Sequence, residues 1–172
     1  MNYIYRRNLL TGSAMFAGIA ALGTSTKAAV PAGRDPFDYE VTRTEDEWRA
    51  MLGEDFCILR EGETERPRSS QHWAEAREGM YNCRGCDLPQ YSSFAKVSLL
   101  KGWAFFTASE PNAQMMSQDG PAIMAEGGSA HDIAIEVHCR RCGSHMGHIL
   151  LVEGKVLHCI NGASLNFEEA TT

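Results

Sequence analysis

Two C-x-x-C pairs, Cys83-Arg84-Gly85-Cys86 and Cys139-Arg140-Arg141-Cys142, constrain this chain more than any other feature. Two residues between thiols let one tight turn present both sulfurs to a single metal ion. Two such turns complete a tetrahedral four-thiolate site, the closed kind that holds structure rather than substrate, and Gly85 and Gly143 suit tight turns. The pairs are far apart in sequence, so a shared ion, zinc above all, would join two distant hairpins, and its binding free energy would be folding free energy. Two other readings of the spacing stand beside this one. The six cysteines could form three disulfides. One pair could be a thioredoxin-like redox motif, although the helix expected after its first cysteine is not evident.

The compartment bears on that choice. Residues 1–28 run from Arg6-Arg7 through an apolar, Gly/Ala-rich stretch into small residues, the order of an export signal. The stretch is short for a membrane span. Adjacent arginines followed by Leu9 and Leu10 resemble a bacterial twin-arginine leader, with Asn8-Leu9-Leu10-Thr11 where Phe and Lys are favoured. The expectation is cleavage near Ala28, delivery to the periplasm and no stable membrane association afterwards; an ordinary secretory signal and an uncleaved anchor are the alternatives. Export of a folded protein would let a metal occupy the thiols before they meet an oxidising compartment. The remaining body carries 13 basic and 22 acidic residues, a net charge of −9, with no basic cluster. That argues against nucleic acid as a partner.

Length and composition fit one compact domain, 172 residues with 44% hydrophobic content. Residues 29–43, punctuated by Pro and Gly, read as a linker or extended arm, and 44–172 as the domain. Thr44 with Glu47 three residues on makes a capping box for a helix that buries Trp48, Met51 and Leu52. A second short helix is expected within 69–79, opened by Ser69 or Ser70 and stopped by Gly79. Beyond it the chain breaks into short, turn-bounded apolar segments, "MYNC", "GWAFFTA", "DIAIEVHC" and "GHILLVEGKVLHCINGASLNF", which read as strands. Residues 112–130 lack a period and read as a long loop. The last segment is a hairpin about Glu153-Gly154. A two-residue loop there pairs Val152 with Lys155, Leu150 with Leu157 and His148 with Cys159, and puts Asn161 on the face of Cys159.

Five motifs in order, "CILREGETERP", "YNCRGC", "GWAFF", "EVHCRRCGSHMGH" and "LHCINGASLNF", resemble the B-type methionine sulfoxide reductases, over roughly Thr44 to Glu168. The resemblance implies a mainly β, antiparallel, zinc-stapled, tent-like fold with short N-terminal helices. It implies one structural Zn2+ on Cys83, Cys86, Cys139 and Cys142. It also implies Cys159 as nucleophile, with His145 and His148 beside it and Asn161 in support, and a substrate wall of Trp103 with Phe105 and His131. A thiolate attacks the sulfoxide sulfur, methionine leaves, and Cys159 becomes a sulfenic acid. Neighbouring imidazoles would lower the thiol pKa and supply a proton. The substrate would be oxidised methionine in proteins or peptides, the electron donor thioredoxin-like, and the enzyme a monomer.

The sequence departs from the family pattern at several of its positions. Val152 and Leu157 replace an acidic turn and an arginine, Ala104 a proline, Ala134 an arginine and Gly162 a serine, and Lys101 stands where a resolving cysteine often precedes "G-W". With four cysteines given to metal, Cys57 alone is left to resolve Cys159, on a flexible approach to the motif that follows it. A non-catalytic binding module of the same fold and a thiol oxidoreductase or metal-handling protein are the competing functions. The leader gives a direct test: replacing Arg6 and Arg7 together with lysine holds the precursor inside the cell, as measured by fractionation, whereas unchanged export of that variant points to the general secretory route.

Overall fold

A computed structural model describes residues 37–118 and 135–171. The expected leader, residues 29–36 of the expected arm, and His131 and Ala134 lie outside the described residues. Among the described residues no helix is long and apolar enough to cross a membrane.

Helix α1, Glu45–Leu52, starts where the capping box places it. Thr44 Oγ1 accepts the Glu47 N–H at 3.3 Å, and Glu47 Oε2 accepts the Thr44 N–H at 2.8 Å, so two N–H groups left over at the helix start are satisfied. Its inner face buries Trp48 and Leu52, while Met51 stays exposed. A 3-10 turn then leads into α2, Phe56–Glu61, which ends at Gly62 with a left-handed φ of 75°. The expected flexible approach is therefore a helix, with Phe56, Ile58 and Leu59 buried.

The expected helix within 69–79 does not form; residues 67–74 are turns and bends. Side chains there capture main-chain groups that a helix would need. The Glu75 carboxylate accepts the N–H groups of Ala76 and Arg77, both at 3.0 Å, and Lys96 Nζ donates to the carbonyls of His72 and Glu75.

Among the described residues nine strands follow: β1 Gly79–Cys83, β2 Pro89–Ser92, β3 Lys96–Val97, β4 Ala104–Phe106, β5 Gln114–Gln118, β6 Ile135–Cys139, β7 His145–Val152, β8 Lys155–Ile160 and β9 Leu165–Glu169. They form two sheets, ordered β2-β1-β9 and β3-β4-β8-β7-β6-β5, and every pairing is antiparallel. β5 lies inside the segment read as a long loop; pairing with β6 makes it a strand without help from an apolar period. The hairpin register is as expected, Val152 opposite Lys155, Leu150 opposite Leu157 and His148 opposite Cys159. Positive φ at Glu153 (50°) and Gly154 (76°) gives the mirror-image turn that matches strand twist.

The two sheets meet through aromatic rings. Phe106 of the larger sheet stacks on Tyr91 at 4.2 Å and meets Tyr81 edge-on at 5.1 Å, both from the smaller sheet. Leu52, Leu59, Met146, Ile160 and Leu165 complete the core.

At Gly147 the larger sheet tolerates no side chain. Its φ is +149°, and a Cβ there would lie 2.2 Å from the main-chain oxygen of Cys159. Gly147→Ala should destabilise the fold by roughly 3 kcal/mol through strain and overpacking, read as a lowered midpoint in urea unfolding.

Candidate active site and metal centre

Each C-x-x-C pair sits where one strand ends and the chain turns toward the next. Cys83 closes β1, with Cys86 in the turn before β2; Cys139 closes β6, with Cys142 in the turn before β7. The two turns repeat one bond pattern. The Asp87 N–H donates to the Cys83 carbonyl at 2.7 Å, and the Gly143 N–H to the Cys139 carbonyl at 2.8 Å. The return bonds, Cys83 N–H to Leu88 O and Cys139 N–H to Ser144 O, are 2.8 and 2.9 Å. The fifth residue of each turn has positive φ, 58° at Asp87 and 69° at Gly143. Gly143 thus serves its turn as expected, whereas Gly85 serves close approach: a Cβ there would meet Ser144 Oγ at 2.6 Å and Cys142 Sγ at 3.1 Å.

All four sulfurs lie within 4.8 Å of one another and could hold a metal ion. Cys83 Sγ is 3.7 Å from Cys142 Sγ, and Cys86 Sγ 3.5 Å from Cys139 Sγ. These separations are far beyond a disulfide bond of about 2.05 Å, and all six cysteines carry free thiols. Polar side chains surround the sulfurs: Gln90 Nε2 donates to Cys139 Sγ at 3.4 Å, and Ser144 Oγ accepts from Cys142 Sγ at 3.2 Å. Buried Arg60 bonds the Cys142 carbonyl at 3.0 Å and lies over the Trp48 ring at 4.4 Å. The described end of the N-terminal arm covers the second turn, with the Val41 N–H on the Arg141 carbonyl at 3.0 Å and Glu40 paired to Arg140 at 2.5 Å.

A second constellation lies across the larger sheet. Opposed residues on successive strands form one row: Glu136 on β6, His148 on β7, Cys159 on β8 and Phe105 on β4. Directly opposed antiparallel residues have Cβ atoms about 5 Å apart, so His148 and Phe105 flank the half-buried Cys159. The His145 and His148 rings meet edge-on at 5.3 Å. His145 Nδ1 is 2.7 Å from Glu136 Oε1, both groups being buried, while His145 Nε2 is buried and makes no hydrogen bond. A carboxylate on Nδ1 fixes the ring's orientation and tautomer.

Asn161 is buried, and its Oδ1 accepts the Glu65 N–H at 3.1 Å. Trp103, half-buried, donates Nε1–H to the Glu65 carbonyl at 3.2 Å. The structure thus joins His145, His148, Cys159, Asn161, Trp103 and Phe105 through pairing or shared partners. Cys57 lies on α2 and directs its thiol to the Glu54 carbonyl at 3.5 Å.

One electrostatic expectation fails. Burial pushes the Cys159 thiol up, to about 12, and the negative charge of Glu65 adds to the rise. Residue spacing reveals the imidazoles but not the depth of burial. Both effects favour the protonated thiol at Cys159. Two acids also escaped the sequence reading. Glu65 stands in the quoted "GETERP" segment without a role, and Glu136 occupies the position expected to face solvent in an alternating strand, whereas β6 from Glu136 to Cys139 is buried on both faces.

Residues 51–169 match the family model described as the SelR domain. Peptide methionine sulfoxide reductase B3 of Arabidopsis thaliana is 35% identical over 77% of this chain and 73% of its own length. The methionine sulfoxide reductase MsrB of Agrobacterium fabrum is 33% identical over 75% of this chain and 93% of its own. A solved structure, the Mis18 "Yippee-like" domain, covers 56% of this chain and all of its own at a TM-score of 0.45 and 12% identity, too loose a likeness to carry weight.

The four-thiol cluster implies that metal content and stability fall together. Cys83→Ser should lower bound metal, measured by elemental analysis, from one ion per chain, and should lower Tm by about 10 °C or more. A metal-free wild type with these cysteines in disulfides would overturn the assignment.

Proposed function

The chain belongs to the SelR-domain family of B-type methionine sulfoxide reductases, and from that premise we propose how its own residues carry the thiol-dependent reduction of methionine-R-sulfoxide in oxidised proteins. The observation that carries the reading is the register of β7, β8 and β4, which sets Cys159 between an imidazole and an aromatic ring. Cys159 is the nucleophile. Its sulfur attacks the sulfoxide sulfur, the S–O bond of the substrate breaks, and the oxygen ends on Cys159 as a sulfenic acid while methionine leaves as a thioether. A thiol protonated at rest already carries the proton that the sulfoxide oxygen needs. His148, directly across the strand pair, relays it, and the Glu136-held ring of His145 steadies His148. Trp103, half-buried, supplies apolar surface for the polarizable S-methyl group, whereas Phe105, expected in the same wall, is 2% exposed and backs Cys159 from within the sheet. His131, outside the described residues, is assigned to the same substrate wall. Asn161 braces the turn beyond Cys159.

Zn2+ is the ion we assign to Cys83, Cys86, Cys139 and Cys142. A Zn–S length of about 2.3 Å sets tetrahedral S···S edges near 3.8 Å, close to the separations of 3.5 and 3.7 Å. The ion would hold the two sheets together, and no step of the reaction passes through it.

The sulfenic acid must then be reset by a thiol, which forms a disulfide with loss of water, and a dithiol donor reduces that disulfide. We assign resolution to Cys57 and the final two electrons to a thioredoxin-like donor. The Cys57 thiol is turned to the Glu54 carbonyl, and this assignment requires it to leave that contact during the cycle. The leader supports action in the periplasm, and we expect a monomer without lasting membrane association.

The wild-type protein should reduce methionine-R-sulfoxide with dithiothreitol, and Cys159→Ser should lose on the order of 10³-fold or more in kcat. Equal inertness of both proteins would favour a binding module instead. One equivalent of substrate added to reduced enzyme should produce a peptide linking Cys57 and Cys159, detected by mass. Unchanged turnover of Cys57→Ser with a thioredoxin-like donor would remove Cys57 from the cycle and leave the external thiol to reduce the sulfenic acid directly.

A further inference from the structure

Glu65 is a buried carboxylate, 4% exposed, and among the described residues it forms no ion pair. The nearby guanidinium of Arg84 is taken by Asp55 at 2.5 Å. A buried acid without a cation is expensive unless hydrogen bonds replace water. Here they do: Oε1 accepts the Gly162 N–H at 2.7 Å, and Oε2 accepts the Ala163 N–H at 3.0 Å and the Ser69 hydroxyl at 3.2 Å. The first two donors belong to the 3-10 turn Gly162–Ser164, which begins three residues after Cys159. Gly162 also admits no Cβ, which would fall 1.8 Å from Ser70 Oγ, so residues 65–70 lie directly against that turn. The main chain of Glu65 is occupied as well. Its N–H holds Asn161 Oδ1 at 3.1 Å and its carbonyl holds Trp103 Nε1 at 3.2 Å.

We propose that Glu65 is the positioning residue of the reductase site: its main chain fixes Asn161 and Trp103 relative to each other, and its carboxylate holds the turn that begins three residues after Cys159 and keeps a negative charge there. No sequence spacing links Trp103 on the β4 side to Asn161 at the end of β8, and this one residue does so with its carbonyl and its N–H. An uncharged isostere would satisfy the two N–H donors less well and would remove the charge. A carboxylate one methylene shorter would keep the charge and lose reach to the turn. The two replacements therefore separate the two parts of the role. The inference rests on Cys159 being the nucleophile of the proposed reaction.

The test compares wild type, Glu65→Gln, Glu65→Asp and Cys159→Ser, full chain and metal-loaded. Two quantities are read: the pH profile of Cys159 alkylation by iodoacetamide, followed by peptide mass, and kcat and KM for methionine-R-sulfoxide. The other titratable groups around Cys159 are His145 and His148 on β7, Glu136 on β6, His158 on β8 and Tyr91 on β2, and all are common to the variants. Glu65→Gln should move the alkylation midpoint down in pH, because a charge that disfavours the thiolate is gone, and should raise KM on the order of tenfold. Glu65→Asp should leave the midpoint near that of wild type and still raise KM. A Glu65→Gln midpoint equal to wild type, even with a lower Tm, would reduce Glu65 to a structural cap and overturn the proposal. If Glu65→Gln does not fold, an unchanged KM in Glu65→Asp overturns it. Failure of the underlying reading looks different: wild type inactive, or Cys159→Ser as active as wild type.

Discussion

The four-sulfur cluster is the constraint on which the rest of the molecule depends. Each pair terminates a strand of a different sheet, so the cluster ties the end of β1 to the end of β6 and sets how the two sheets face each other. β7 leaves the second turn only three residues after Cys142, and its first residue is His145. The position of both imidazoles is thus inherited from the metal turn, and through the β7–β8 register so is that of Cys159. The aromatic contacts of Phe106 with Tyr81 and Tyr91 add directional packing to this covalently short framework. Arg60, with its charge beside the sulfurs and its plane on Trp48, couples the helical segment to the same point.

Burial gives the reactive strand pair its electrostatic character. Burial between two strands and the negative charge of Glu65 both favour the neutral form of the Cys159 thiol over the thiolate. Neutral thiols react slowly with oxidants and alkylating agents, so selectivity falls to a substrate that brings its own proton acceptor, the sulfoxide oxygen. Activation is then a property of the complex rather than of the free protein.

How far the sequence was legible follows from how local each determinant is. The capping box at Thr44 and Glu47 needs four residues, and the β7–β8 register needs a two-residue turn with alternating neighbours; both were read correctly. The sulfur turns were readable because metal chemistry dictates their spacing. The helix expected within 69–79 failed because Glu75 and Lys96 take its main-chain groups, and Lys96 comes from a different part of the chain. β5 owes its existence to β6, and no pattern of its own announces it. Glu65 is a similar case. Its five partners come from three separate segments, so its place at the centre of the site is a property of the folded chain alone.

The pairing of β1 with β9 carries a kinetic consequence. Gly79 lies opposite Glu169 and Cys83 opposite Leu165, so the centre of the smaller sheet closes a loop that spans most of the described chain. Contacts of such sequence separation form slowly, because loop-closure entropy is lost before the contact rewards it. During synthesis β1 and its two cysteines emerge well before β9 exists to cover them, and before Cys139 and Cys142 can share a metal with them. The nascent chain therefore passes through a long interval with one exposed half-site for metal and one uncovered strand edge. The smaller sheet is completed only once β9 has been made, and until then its central strand β1 is paired on one side alone.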